Sequence, residues 1–361
     1  MRIPVLPLYA SAHGATPTEV GLITGAHMGV AALSAIPFGY ASDRWGRRAF
    51  LLGGTAVSAV TSLLLPLVST PLALAAIYGA AGLGVAAFTP SVMSFVGDIT
   101  APGAAGRAYG WYTMALYTGM GAGPVLGGFV AEHWGDRSAF VIAGAIVVLA
   151  VAVGVLLPKT GARAHRFWRA SFADLRQTRI VWAGWIATVS GLGAWGAITT
   201  FFPLLARERG ITPFTIGLVF GIQALSNTVA RVPVGWLLDR TRARRPYVLT
   251  GVFALALGTG LIPTLSDARG FILMGAALGV ALAVAFVAIG AVLSENTTPA
   301  TRGVAMGGYS TAIYVGFGLA SVGLGPAIAH WGYAAGFALA GAGAVMGTVI
   351  AAALWTWQPA R

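Results

Sequence analysis

Long apolar runs separated by short polar breaks organise this chain from end to end. Runs long enough to cross a hydrocarbon core of ~30 Å as helices fall at 18–40, 49–69, 72–96, 108–131, 138–157, 180–206, 213–237, 247–265, 270–293, 304–328 and 333–357. The pattern predicts eleven membrane-spanning helices, preceded by a fragment at 1–11. The breaks alternate in charge. Arg44, Arg47 and Arg48 occupy 41–48, Lys159 and five arginines occupy 158–179, and Arg240, Arg242, Arg244 and Arg245 occupy 238–246. Arg107 and Arg302 fall in two further breaks of the same parity, whereas the opposite breaks hold only Arg137, Arg207, Arg209 and Arg269. The positive-inside rule places the arginine-rich set, including 41–48 and 158–179, in the cytoplasm. The membrane expected is the plasma membrane.

The two ends of the pattern repeat. Pro7, Gly14, Gly21, Pro37, Gly39 and Asp43 recur 196 residues on as Pro203, Gly210, Gly217, Pro233, Gly235 and Asp239. One insertion later the offset is 197: Tyr112 and Tyr117 recur as Tyr309 and Tyr314, and His133-Trp134-Gly135 as His330-Trp331-Gly332. Both copies keep the same side positive, so this is a parallel repeat of a six-helix unit, and such repeats place a solute site near mid-bilayer. The domains expected are a first half at 1–157, a basic linker at 158–179 with a helix lying at the interface, and a second half at 180–361. Apolar sequence precedes Pro203 back to Ile180, but only six residues precede Pro7. About 17 residues of the first helix are therefore expected upstream in the natural protein.

Composition removes the alternatives. Mean hydropathy is +0.80, 57% of the 361 residues are hydrophobic and 9% are charged, against about 25% charged in soluble domains. The net charge of +12 sits in clusters between apolar runs, not along one face, which excludes a nucleic-acid surface. With no cysteine, disulfides and thiolate metal sites are excluded. No phosphate loop ending in Gly-Lys-Ser/Thr appears, so neither ATP-driven transport nor an enzyme is expected, and no cofactor is called for. The partners expected are a small-molecule substrate, protons and membrane lipid, acting on a monomer.

Two motifs carry chemistry. Gly39-Tyr40-Ala41-Ser42-Asp43-Arg44-Trp45-Gly46-Arg47-Arg48 fills one basic turn. A glycine at Gly39 suits a close helix contact, Asp43 can accept from a helix N-terminus or an arginine, and the arginines can reach lipid headgroups. A degenerate copy holds Gly235, Asp239, Arg240 and Arg244-Arg245. The second motif is Gly119-x-x-x-Gly123-Pro124-x-x-Gly127-Gly128. Gly119, Gly123 and Gly127 share one helix face, and Pro124 removes a backbone donor and can bend the helix. The first motif resembles the loop signature G-x-x-x-D-R-x-G-R-R of the major facilitator superfamily. The second resembles the fifth-helix signature of its drug:proton antiporters. The resemblance implies an all-α polytopic membrane protein with the major facilitator fold, two six-helix halves related by the parallel repeat. It also implies two inward charge clusters, Asp43, Arg47, Asp98 and Arg107 in one and Asp239, Arg240, Glu295 and Arg302 in the other. These hold the carrier shut on the cytoplasmic side.

The pattern also departs from that group. Proton-coupled relatives often carry an arginine four residues before a glycine in the fourth helix. With Gly82 as that glycine, the position is Tyr78. All ten acidic residues lie in loops or at helix ends, where none is the intramembrane carboxylate expected of a proton site. Arg231, eight residues before Asp239, either faces a cavity or snorkels to the interface. At mid-depth, His27 and its repeat mate Gln223, with Asn227 a turn below and Tyr112, Tyr117, Tyr309 and Tyr314, are the polar groups that need partners. A central solute site would satisfy them together, with His27 as proton carrier. Hydrogen bonds to neighbouring helices would satisfy them separately. The expected function is secondary active transport of a small organic solute by alternating access, with proton-coupled efflux of amphipathic compounds foremost. A facilitator or uptake carrier for a polar metabolite and a non-transporting sensor are the alternatives.

Overall fold

Caps punctuate the apolar runs at matching places in the two repeats. Thr16 and Glu19 form a capping box: the Thr16 hydroxyl accepts from the Glu19 amide at 3.3 Å, and the Glu19 carboxylate accepts from the Thr16 amide at 2.7 Å. Pro17 follows at the first helical position, where a missing N–H costs nothing. Its repeat mate Thr212 accepts from the Thr215 amide at 3.3 Å, again with a proline next. Thr70 and Asp267 cap the fourth helix of each repeat in the same way.

A computed structural model describes residues 1–101, 104–158, 178–241, 243–298 and 301–356. The expected interfacial helix at 158–179 lies almost wholly outside the described residues. Among these, the chain is all helical, with no strand. The helices are α1 (Arg2–Ala12), α2 (Pro17–Trp45), α3 (Arg47–Leu64), α4 (Pro71–Ile99), α5 (Ala105–Trp134), α6 (Asp136–Gly154), α7 (Arg179–Glu208), α8 (Pro213–Thr241), α9 (Arg245–Leu261), α10 (Ala268–Glu295) and α11 (Arg302–Thr356). Gly332 breaks α11 into two limbs with φ 79° and ψ 172°. Its mate Gly135 breaks α5 from α6 with φ 83°, a left-handed region that favours glycine. With that break counted, ten helices beside α1 become eleven, the number read from hydropathy.

The described residues fall into two packed units, one drawn from Met1–His165 and Thr212–Gly221, the other from Arg166–Ile211 and Ile222–Arg361. The start of α8 thus groups with the first unit, not with the half its sequence position gives. Glycine is the reason. A Cβ on Gly217 would strike the Pro124 carbonyl of α5, and one on Gly128 would strike Pro213. The Glu132 carboxylate accepts from the Phe214 amide at 2.9 Å in the same place.

In the first unit, buried Tyr9 meets Phe140 edge-on at 5.3 Å and donates to the Val68 carbonyl at 2.9 Å. In the second, Phe202 and Phe271 meet at 5.1 Å. One close helix crossing is built twice from the same parts. A Cβ on Gly82 in α4 would strike the His27 carbonyl of α2, and a Cβ on Gly279 in α10 would strike the Gln223 carbonyl of α8. Small residues at a crossing let backbones touch where lipid supplies no hydrophobic drive. Outside these cores stand Leu33, Leu72, Leu156, Val232 and Leu273, each at least 70% exposed. Such surfaces suit lipid rather than water.

Candidate functional site

At the arginine-rich end of the first unit, Gly46 joins α2 to α3 with φ 98°. That tight joint puts Arg47 at the start of α3, between two carboxylates. Its guanidinium lies 3.1 Å from Asp43 and 3.2 Å from Asp98 at the end of α4. All three are largely sheltered, so the bridge is less screened than a surface pair. Arg107 stands exposed; the ion pairs described at this end join Arg47 to Asp43 and Asp98. Arg44 is exposed likewise.

The second unit repeats the construction with a different arginine from the one expected. Arg244 lies 2.8 Å from Glu295 and 3.8 Å from Asp239. Its Nε also donates to Glu295 at 3.1 Å. The hydrogen bond with Glu295 raises the Arg244 pKa above its ordinary value. Arg240 instead lies over the Trp236 ring, 5.2 Å from its centroid, because its side chain leaves α8 on another face. The Arg302 side chain lies outside what is described. Arg48 and Arg245, also repeat mates, donate to the Val155 and Ala352 carbonyls near the ends of the sixth helices. There they complement the negative helix terminus.

The glycine motifs divide. A Cβ on Gly123 would lie 3.0 Å from the Met1 backbone, and Gly127 and Gly128 admit none. Gly119 has open space around it, so the smooth face is shorter than the motif. Gly39 would place a Cβ in ordinary contact, 3.8 Å from Pro90. Its glycine is therefore not required by the crossing, contrary to the sequence expectation; Gly82 and Gly54 make the close approaches instead.

The mid-helix polar residues are buried within their own units. His27 is 5% exposed; its Nδ1 lies 2.9 Å from the Tyr78 carbonyl and its ring stacks on the Tyr78 ring at 4.2 Å. A carbonyl only accepts, so Nδ1 carries the proton and Nε2 is left for another task. This is a bond to a neighbouring helix, one of the two fates considered for it. Gln223 and Asn227 are buried on α8, and Asn227 accepts from Arg231 Nε at 2.8 Å. Arg231 is thus held by its own helix one turn away. Tyr112, Tyr117 and Tyr309 are half-buried and Tyr314 is buried.

Two residues were missed. Arg244 was discoverable from the offset of 197 that relates it to Arg47. Arg2, whose guanidinium lies 5.9 Å from the Tyr78 ring centroid, was discoverable by aligning Pro7 on Pro203, which puts Arg2 level with Ile198 inside α7.

Two helical units built on one plan, each with an arginine between carboxylates at one end and polar groups at mid-helix, are the arrangement of an integral membrane transporter, and the family match agrees. The chain belongs to the Major Facilitator Superfamily, whose profile matches residues 1–210 and 184–361. An uncharacterized transporter of this type from Methanocaldococcus jannaschii is 24% identical over 339 residues, covering 89% of this chain and 85% of the relative. The gentisate transporter of Corynebacterium glutamicum is 29% identical over 63% of this chain, which spans only 54% of that relative's length. Further relatives are named as multidrug resistance proteins. The crystal structure of the nucleoside transporter NupG shares the fold, with a TM-score of 0.79 at 15% identity over 98% of this chain and 95% of that one.

Proposed function

We propose that this protein is a monomeric secondary carrier of the plasma membrane that works by alternating access and exports amphipathic organic compounds in exchange for protons. The observation that carries the reading is the twice-built latch, Asp43–Arg47–Asp98 and Asp239–Arg244–Glu295. An arginine shared between two helix ends can be made and broken without unfolding either helix, because each bridge is individually weak. The Arg47 and Arg244 ends face the cytoplasm in this reading, by the charge of their loops. The names of the multidrug resistance relatives favour export. His27 supplies the titratable group, and Gln223, Asn227 and the four tyrosines supply polar contacts for the solute.

One observation favours a second reading, a facilitator or uptake carrier. Tyr78 stands where coupled relatives carry arginine, and among the described residues no acidic residue lies mid-helix. Counterflow in proteoliposomes separates the two. Under the first reading an imposed pH gradient drives accumulation of an amphipathic dye above equilibrium. Exchange that ignores the gradient would establish the facilitator.

A further inference from the structure

The carrier reading leaves Arg2 without a task. Arg2 lies ten residues before the end of α1, His27 ten residues into α2, and Tyr78 seven residues into α4. These ends lie on one side of the unit. At 1.5 Å per residue the three residues sit about 10–15 Å inside it. A guanidinium at that depth needs a partner, a cavity or water. It lies over the Tyr78 ring, at the outer limit of a cation–π contact. Its Nη1 is buried and makes no hydrogen bond.

Among the described residues of the first unit, no carboxylate serves it. Glu19 caps α2, and Asp43 and Asp98 hold Arg47 at the far end. Glu132 accepts from Phe214, and Asp136 opens α6. Beside the guanidinium stand the Tyr78 ring, the His27 ring stacked on it and the His27 Nε2, which the Tyr78 carbonyl leaves unused. A cationic solute would be repelled there, and a neutral one would leave the charge uncompensated. A planar fork of N–H donors matches a carboxylate in geometry and sign. The adjoining rings of Tyr78 and His27 offer an apolar wall for the rest of the molecule.

We propose that Arg2 is the anion-recognising residue of this carrier, binding the carboxylate of a monoanionic amphipathic organic acid beside Tyr78 and His27. The inference rests on the carrier reading above and names its substrate class. Arg2 thereby supplies, from the first helix, the positive charge absent at position 78.

The test is binding of 1-naphthoate and of the isosteric neutral 1-naphthamide to the purified carrier in detergent, by titrated thermal shift. The wild type is expected to prefer the acid by about ten- to a hundredfold. Arg2→Gln should bring the acid down to the amide's affinity and leave the amide unchanged, and Arg2→Lys should fall between. Equal binding of acid and amide by the wild type, no binding of the acid, or a preference that survives Arg2→Gln would overturn the proposal. Protection of Arg2 from phenylglyoxal, read by peptide mass, tests the same contact without a substitution. Naphthoate and not naphthamide should protect, and absence of protection would overturn it. Failure of gradient-driven counterflow would refute antiport while leaving the acid preference standing. Equal binding of acid and amide would refute the anion site while leaving gradient-driven export standing.

Discussion

Gly82→Ala is the sharpest test of how the units are held together. The added Cβ would strike the His27 carbonyl and come within 3.1 Å of the Ala31 amide nitrogen and of the Val30 Cβ. Two of these three atoms are backbone, so α2 and α4 must part rather than a side chain swing aside. Overpacking of this kind costs about 1–3 kcal/mol. Alanine also recovers about 1 kcal/mol of helix propensity, so the net loss against wild type is up to ~2 kcal/mol. The control is Gly29→Ala on α2, where a Cβ meets nothing within 4 Å. It collects the propensity gain without the clash. The difference between the two variants isolates the crossing at the full 1–3 kcal/mol, several degrees at ~2–4 °C per kcal/mol. Gly279→Ala should behave alike, since its Cβ would strike Gln223. The crossings lie in different units, so the double variant should lose the sum. The assay is tryptophan fluorescence on heating in one detergent. Equal midpoints for Gly82→Ala and Gly29→Ala would show that the crossing is not packed as described.

Other outcomes follow from the latches and the histidine. Arg244→Ala should lower the unfolding midpoint little, because exposed bridges contribute about 0–1 kcal/mol, yet cut the initial transport rate severalfold; Arg240→Ala, with its guanidinium over Trp236, should leave the rate near wild type. Asp43→Asn should slow transport in proteoliposomes while substrate affinity in detergent stays within about twofold, the expected split for a group at a helix end; a large affinity loss at unchanged rate would count against it. Arg48→Ala and Arg245→Ala should each cost about 1 kcal/mol of thermal stability through the lost bond to a helix-end carbonyl, and by similar amounts, which calorimetry can compare. His27→Ala should flatten the pH profile of transport, and a variant with the parent's profile would remove the histidine from coupling.

Much of the scaffold was legible because lipid makes strong demands on sequence. Every backbone group must be paired inside the bilayer, so the spans read directly as helices, and the break at Gly332 was foreshadowed by its mate Gly135. The latches were half legible. In the first unit the arginine follows its aspartate by four residues, Asp43 to Arg47, but in the second by five, Asp239 to Arg244. The inserted residue lies in the turn itself, and only the bridge shows which arginine turns toward Glu295. Gly39 was misread for a related reason. A motif fixes residue types, while contact depends on which face of a helix meets a neighbour. Arg2 escaped notice because a basic residue in a fragmentary first segment reads as a topology signal; its depth emerges only once its guanidinium is found over Tyr78.

The repeat separates scaffold from specificity. Where the units coincide, the shared parts join helix to helix: Gly82 and Gly279 at the crossing, Arg47 and Arg244 between carboxylates, Arg48 and Arg245 on the helix ends. Where the units differ, the difference has no mechanical excuse, since the other unit does without it. Arg2 stands opposite Ile198, His27 opposite Gln223, Tyr78 opposite Gly275, and Gly123-Pro124 opposite Ala320-Ser321. At that last position the second unit instead bonds Ser321 to Thr200 at 2.9 Å. Three of the four differences make one stack, in which a guanidinium and an imidazole share the Tyr78 ring. The second unit places an alkyl chain, an amide and no side chain at the same stations. A fold that needed only to rock could have used either set twice. The stack of Arg2, Tyr78 and His27 is therefore the part of the first unit that the proposal above ties to the solute.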